Sequence, residues 1–182
     1  MKKTILTFGL ISGALSSLMM VTTVPFAHRI GFEKALVVGY TTIVLSFLLV
    51  FFGIRSYRDN VGNGQITFAK AFAVGICITL ISCIFYVVTW EIIYFNFMHD
   101  FMDKYGAHLI EKLKATGASS AAIQAQLQQQ EKLKELYENP FFNAAMTFIE
   151  PFPVGLAITL VSAGVLRKKA QSQPGQSPLP AS

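Results

Sequence analysis

The chain has 182 residues, 53% of them hydrophobic and only 14% charged, with a formal net charge of +5. Its apolar residues run in long blocks, not in the alternation of a strand or an amphipathic helix, which excludes an ordinary soluble core. The basic residues flank those blocks without forming one dense stripe with interleaved aromatics, which excludes a nucleic-acid surface, and the two cysteines, Cys77 and Cys83, have neither CxxC nor zinc spacing.

Four blocks predict four spans, at about 4–27, 35–54, 71–95 and 143–166. At about 1.5 Å per residue each covers a roughly 30 Å hydrocarbon core. Lys2 and Lys3 before the first block, with small residues Ala14 and Ser16 inside it, also suit a cleaved signal peptide. The apolar run continues through Met19, Met20 and Val24 with no polar cleavage region, however, so it reads as a span.

Small residues at four-residue spacing allow helices to approach closely in lipid. They are Gly9, Gly13 and Ser17 in span one, Ala71, Gly75, Thr79 and Cys83 in span three, and Gly155, Thr159 and Ala163 in span four. Packing within the bundle is the plain reading, and homodimerisation through the Gly9–Gly13 face is the alternative. In the loop after span two, Arg55 and Arg58 suit lipid phosphates or topology anchoring, with Tyr57 at the interface and Asn63-Gly64 marking a turn.

Between spans three and four, 97–138 reads as a two-helix hairpin. Phe97, Phe101, Tyr105, Leu109 and Leu113 make one apolar stripe, Gly117 breaks the helix, Ser119 or Ser120 caps the next, and Asn139-Pro140 stops it. The second helix has only a thin stripe, Ile123 and Leu127. This suits a solvated or partner-dependent helix.

Span four contains Glu150 followed by Pro151 and Pro153. A charge at a span centre costs about 2.5–3.5 kcal/mol on insertion scales, so Glu150 needs a partner or a proton, and the prolines break the helix and free carbonyls. Counting residues from the inner boundary puts Glu150 and Glu91 roughly 6 Å apart in height, both near the outer face. An ion pair of Glu150 with Arg29 or His28 from the first outer loop is the structural expectation. A cation or proton site using Glu150, with Glu91, is the functional one.

Basic residues mark the cytoplasmic side. Lys2, Lys3, Arg55, Arg58, Lys70, Arg167, Lys168 and Lys169 therefore belong inside, whereas the loop 91–142 has five Lys, no Arg and seven acidic residues and belongs outside. The fold predicted is an all-α membrane protein of four transmembrane helices with a two-helix extracytoplasmic hairpin between spans three and four. It forms one domain over 1–169, with both termini cytoplasmic and a disordered, proline-rich tail over 170–182. No Walker loop, HExxH, GxSxG or His/Asp cluster occurs, so no catalytic residue, metal site or cofactor is expected.

Gly53-Ile54-Arg55-Ser56-Tyr57-Arg58-Asp59, Ile66-Thr67-Phe68-Ala69-Lys70-Ala71-Phe72 and Gly75 together resemble a bacterial inner-membrane family, domain of unknown function 4199. Gly9-Leu10-Ile11-Ser12-Gly13, Asn139-Pro140, Glu150-Pro151-Phe152-Pro153-Val154-Gly155 and Arg167-Lys168-Lys169 agree with it in order. The resemblance implies a four-span bacterial membrane protein and no activity, cofactor or catalytic residue. The function expected is therefore non-enzymatic: packing, or binding a membrane-protein partner through the hairpin. The alternative is a small proton- or cation-coupled carrier using Glu150.

Overall fold

The computed structural model describes residues 1–26, 29 and 31–168; His28, Lys169 and the tail 170–182 lie outside the described residues. Among the described residues there are seven α-helices and no strand. They are α1 (Lys2–Thr23, continuing into a 3-10 turn, Val24–Phe26), α2 (Phe32–Asn60), α3 (Phe68–Phe97), α4 (Phe101–Ala115), α5 (Ser120–Tyr137), α6 (Pro140–Ile149) and α7 (Phe152–Leu166). Four stretches, Lys2–Phe26, Glu33–Asn60, Phe68–Phe97 and Pro140–Leu166, are long and apolar enough to cross a membrane. The protein is a multi-pass, all-α membrane protein.

Local chemistry sets the helix ends. The Thr67 hydroxyl caps α3 by accepting from the Lys70 amide at 3.3 Å, and Ser119 caps α5 by accepting from Ala122 at 3.2 Å. Asn139 accepts from the amides of Phe141 and Phe142, and Pro140 opens α6 at a position where no donor is needed. Gly117, at φ +73°, turns the chain out of α4 in a conformation that a side chain would strain. α2 continues beyond Ile54 to Asn60, its exposed end carrying ion pairs from Arg55 and Arg58 to Asp59.

α3 is the hub of the bundle, and glycines bring the other helices against it. A Cβ at Gly9 would lie 3.0 Å from Ile81 Cβ, and one at Gly13 would lie 2.7 Å from Phe85 Cβ. A Cβ at Gly75 would meet Ile54 and Thr159 at 2.8 Å, and one at Gly155 would meet Thr79 at 2.5 Å. The Gly9–Gly13 face is therefore occupied by α3 of the same chain and is not a free surface for a second copy. Hydroxyls staple the same seams: Ser12 Oγ donates to Ser46 O at 2.9 Å, and Thr79 and Thr159 share a 3.0 Å hydrogen bond. Val50, Ile54, Val74 and Ile78 are fully buried between them.

The bundle is closed at the end of the 61–67 loop and open at the other. α7 packs on both α2 and α3, whereas α6 packs on α3 and makes at most marginal contact with α2. The break between α6 and α7 falls at Glu150 and Pro151. Pro151 and Pro153 have no amide hydrogen, so the carbonyls of Thr147 and Ile149 lose their helical donors and the fourth span divides there.

α4 and α5 lie against each other at Gly106, where Gln130 comes within 3.4 Å of the Cβ position, and Lys134 binds Asp103 at 2.6 Å. The apolar seam of α4 is offset from the stripe expected. Phe97 belongs to the end of α3 and is exposed, and the buried line is Met102, Gly106 and Ile110. The reason is steric: α5 approaches closest where α4 has no side chain. Tyr57 also differs from expectation. It is 5% exposed, within the same buried cluster as Ile66 and Leu166, and not at the interface beside Arg55 and Arg58. A backbone bridge between Ile66 and Lys168 draws those two segments together across this end of the bundle.

Candidate functional site

The divided fourth span leaves a cavity of about 360 Å³ in the open half of the bundle. α1 contributes Met19 and Met20, α2 contributes Gly39, Thr42 and Ile43, α3 contributes Tyr86 and Trp90, and α6 with its C-terminal break contributes Met146, Thr147 and Glu150. The hairpin roofs it with Phe101, Met102 and Tyr105 from α4 and Leu133 and Tyr137 from α5. Leu36 of α2 and Met146 of α6 both line the cavity and are both exposed, on two helices that make at most marginal contact with each other.

Glu150 is the carboxylate of this site. Tyr86 donates its phenol hydrogen to Glu150 Oε2 at 3.0 Å, and among the described residues no lysine or arginine forms an ion pair with it. Arg29, expected as its partner, instead stands over the Phe26 ring at 6.0 Å. Glu91 is not among the residues lining the cavity, and its buried Oε1 has no hydrogen-bond partner among the described residues. Pro151 is fully buried behind the site, and Pro153 is exposed.

Asn143, also fully buried, joins three elements around the cavity wall. Its Oδ1 accepts from Trp90 Nε1 at 2.8 Å and from Thr147 Oγ1 at 3.3 Å, and its amide donates to the Tyr137 carbonyl at 3.2 Å. Removing a partner from a buried polar network leaves the others unsatisfied, at about 1–3 kcal/mol per group. Asn143→Ala is therefore expected to lower stability by about that amount and to shift Trp90 emission. Thermal unfolding followed by tryptophan fluorescence checks both, and an unshifted spectrum would show that Asn143 does not hold the indole.

The roof is held mainly by rings. Trp90 meets Phe101 edge-on at 5.1 Å, Tyr137 packs on Tyr94 at 6.3 Å and on Phe142 at 5.8 Å, and Phe101 stacks on Tyr105. Lys112 also reaches from α4 to Glu33 at the start of α2, but both groups are exposed and such pairs add little. Hydrogen bonds donated to Glu33 and Asp103 hold Lys112 and Lys134 above the usual lysine range. Burial, with the Glu150 charge added, pushes the Tyr137 phenol up.

Sequence reasoning singled out Glu150 but not Tyr86, Trp90 or Asn143. Tyr86 and Trp90 sit four residues apart inside an uninterrupted apolar run, where two aromatics look like ordinary lipid-facing or packing residues. The signal available was Asn143, an amide at the edge of a span, for which burial requires partners.

Among known proteins, no curated protein and no solved structure matches the chain. Residues 7–168 match the family described as "Protein of unknown function (DUF4199)". That match covers nearly all of the membrane bundle, the hairpin and the break at Glu150, and the chain belongs to this family.

Proposed function

We propose that this is a non-enzymatic membrane protein that holds a small amphipathic molecule in the cavity under the hairpin. The observation that carries the reading is the cavity itself, walled by all four spans and roofed by a separate pair of helices. Its size falls within the range of small-molecule pockets, and its walls combine aromatic and thioether side chains with a few polar groups, as such pockets do. Those groups suit holding a molecule more than transforming one. The hairpin, expected as a surface for a protein partner, contributes its inner face to this cavity and leaves its outer face for that role.

Flanking charges support a bacterial inner-membrane arrangement with both termini cytoplasmic and the hairpin outside. A cysteine introduced at Ala118, in the α4–α5 turn, is then labelled by an impermeant maleimide in intact cells. Labelling only after lysis would reverse the topology.

Trp90 is the one tryptophan of the chain and lines the cavity. In nanodiscs, dodecanol is expected to change Trp90 emission saturably; a response that only grows in proportion to the amount added would reject a cavity site.

A second reading, a proton- or cation-coupled carrier, draws on the placement of Glu150 at the break in span four, where freed carbonyls and a carboxylate occur together. Liposome flux with Glu150→Gln as control tests it. Wild-type protein that supports no flux removes the carrier and leaves the binding reading intact.

A further inference from the structure

The same cavity carries an inference about its occupant, resting on the binding reading above. We propose that the site is built for an amphipathic amine without a phosphate group, reaching it sideways from the bilayer through the gap between α2 and α6. Three observations converge on this class.

The first is charge. Glu150 presents a carboxylate to the cavity with Tyr86 as its hydrogen-bond donor, and the described residues lining the cavity include no lysine, arginine or histidine. A neutral phenol satisfies one oxygen and leaves the need of a carboxyl group at this depth, a partner charge or a proton, unmet. An ammonium group placed beside the other oxygen supplies both a charge-assisted hydrogen bond and a counter-ion. A phospholipid headgroup fits poorly, since its phosphate would enter the same space, where no described lining residue supplies a cation to receive it.

The second is the wall. Trp90, Tyr105 and Tyr137 line the cavity, and aromatic rings suit both a cation and the apolar body that carries it. Four of the six methionines of the chain, Met19, Met20, Met102 and Met146, line the same space. Flexible thioether side chains adapt to different shapes, so the site accepts a class of amines in preference to one fixed structure.

The third is access. The hairpin covers the cavity from above, where Lys112 of α4 meets Glu33 at the head of α2. α6 makes at most marginal contact with α2, and Leu36 and Met146, the exposed residues of the described lining, stand on these two helices. Both helices belong to spans, so a gap between them would face lipid. An apolar tail can therefore remain in the bilayer while the amine sits at Glu150.

The test compares dodecylamine, dodecanol and dodecylphosphocholine, which share one chain and differ in headgroup. Each is titrated below its micellar concentration into nanodisc-embedded protein, with Trp90 emission as readout and Gly39→Leu as the blocked control. Dodecylamine is expected to bind about tenfold to a hundredfold more tightly than dodecanol, the worth of one charge-assisted hydrogen bond. Dodecylphosphocholine is expected to bind no more tightly than dodecanol. In Glu150→Gln the amine should fall to the level of the alcohol in that same variant.

Equal binding of amine and alcohol to the wild type would overturn the amine assignment while leaving the cavity reading standing, and that comparison needs no variant to fold. Phosphocholine binding as tightly as the amine would also overturn it, in favour of a lipid headgroup. Absence of saturable binding by all three would remove the cavity reading itself.

Discussion

Gly155→Val is expected to dissociate the bundle along the α3–α7 seam. A Cβ at Gly155 would lie 2.5 Å from Thr79 Cγ2 and 2.9 Å from the Phe47 ring, distances at which something must move. Neither neighbour yields easily. Thr79 is β-branched, fully buried and hydrogen-bonded to Thr159 at 3.0 Å, and Phe47 is 3% exposed. Overpacking of this kind costs about 1–3 kcal/mol where the core can adjust, and valine adds two methyl groups beyond the first clash. In lipid there is no hydrophobic force between helices to offset the lost contact, because packing itself drives association. The spans should insert, but the purified variant should melt well below wild type and lose its monodisperse peak in size exclusion. Gly155→Ala should show a smaller loss of the same kind. A valine variant as stable as wild type would mean that α7 does not sit on α3 as described.

Gly39→Leu should do the opposite: keep the fold and remove the cavity. Nothing lies within 4 Å of a Cβ built at Gly39, which lines the cavity from α2. A leucine there meets empty space, and replacing glycine inside a helix favours the helix by up to about 1 kcal/mol. Melting should be unchanged or slightly higher, while saturable binding at Trp90 is lost. If the variant still binds dodecanol as wild type does, the molecule occupies another site. Both glycines lie in apolar runs, and the sequence does not say what a Cβ at either would meet. Their different surroundings give the substitutions opposite outcomes.

This difference shows where the sequence stops being legible. The four spans could be read because uncharged length is a one-dimensional property set by bilayer thickness. The break in the fourth span was also visible, since proline acts on its own helix whatever surrounds it. Contacts between helices were harder. The α4 seam runs through Met102, Gly106 and Ile110 and not along the aromatic line, because the position of α5 decides which face is buried. Tyr57 lies in the core because α2 continues as helix past Ile54, and nothing in the local pattern distinguishes an interfacial tyrosine from a packed one.

The site was partly legible in the same sense. Glu150 stood out as a carboxylate in an apolar run, and the need for a partner followed from the cost of burying it. Which partner it would be depended on rotation about α3, which turns Tyr86 toward it, and on the first loop, which leaves Arg29 over Phe26. The cavity was not legible at all. It arises because α6 rests on α3 without closing on α2, a relation among three helices that no single segment encodes.

The central claim is that a cavity under the hairpin opens to the bilayer and takes up an amphiphile, and quenching of Trp90 by a neutral amphiphile with a brominated chain tests it most directly. Bromine quenches only at short range, so occupancy of the cavity should give saturable quenching in wild type and none beyond the lipid background in Gly39→Leu. Identical, unsaturable quenching in the two proteins would contradict the account.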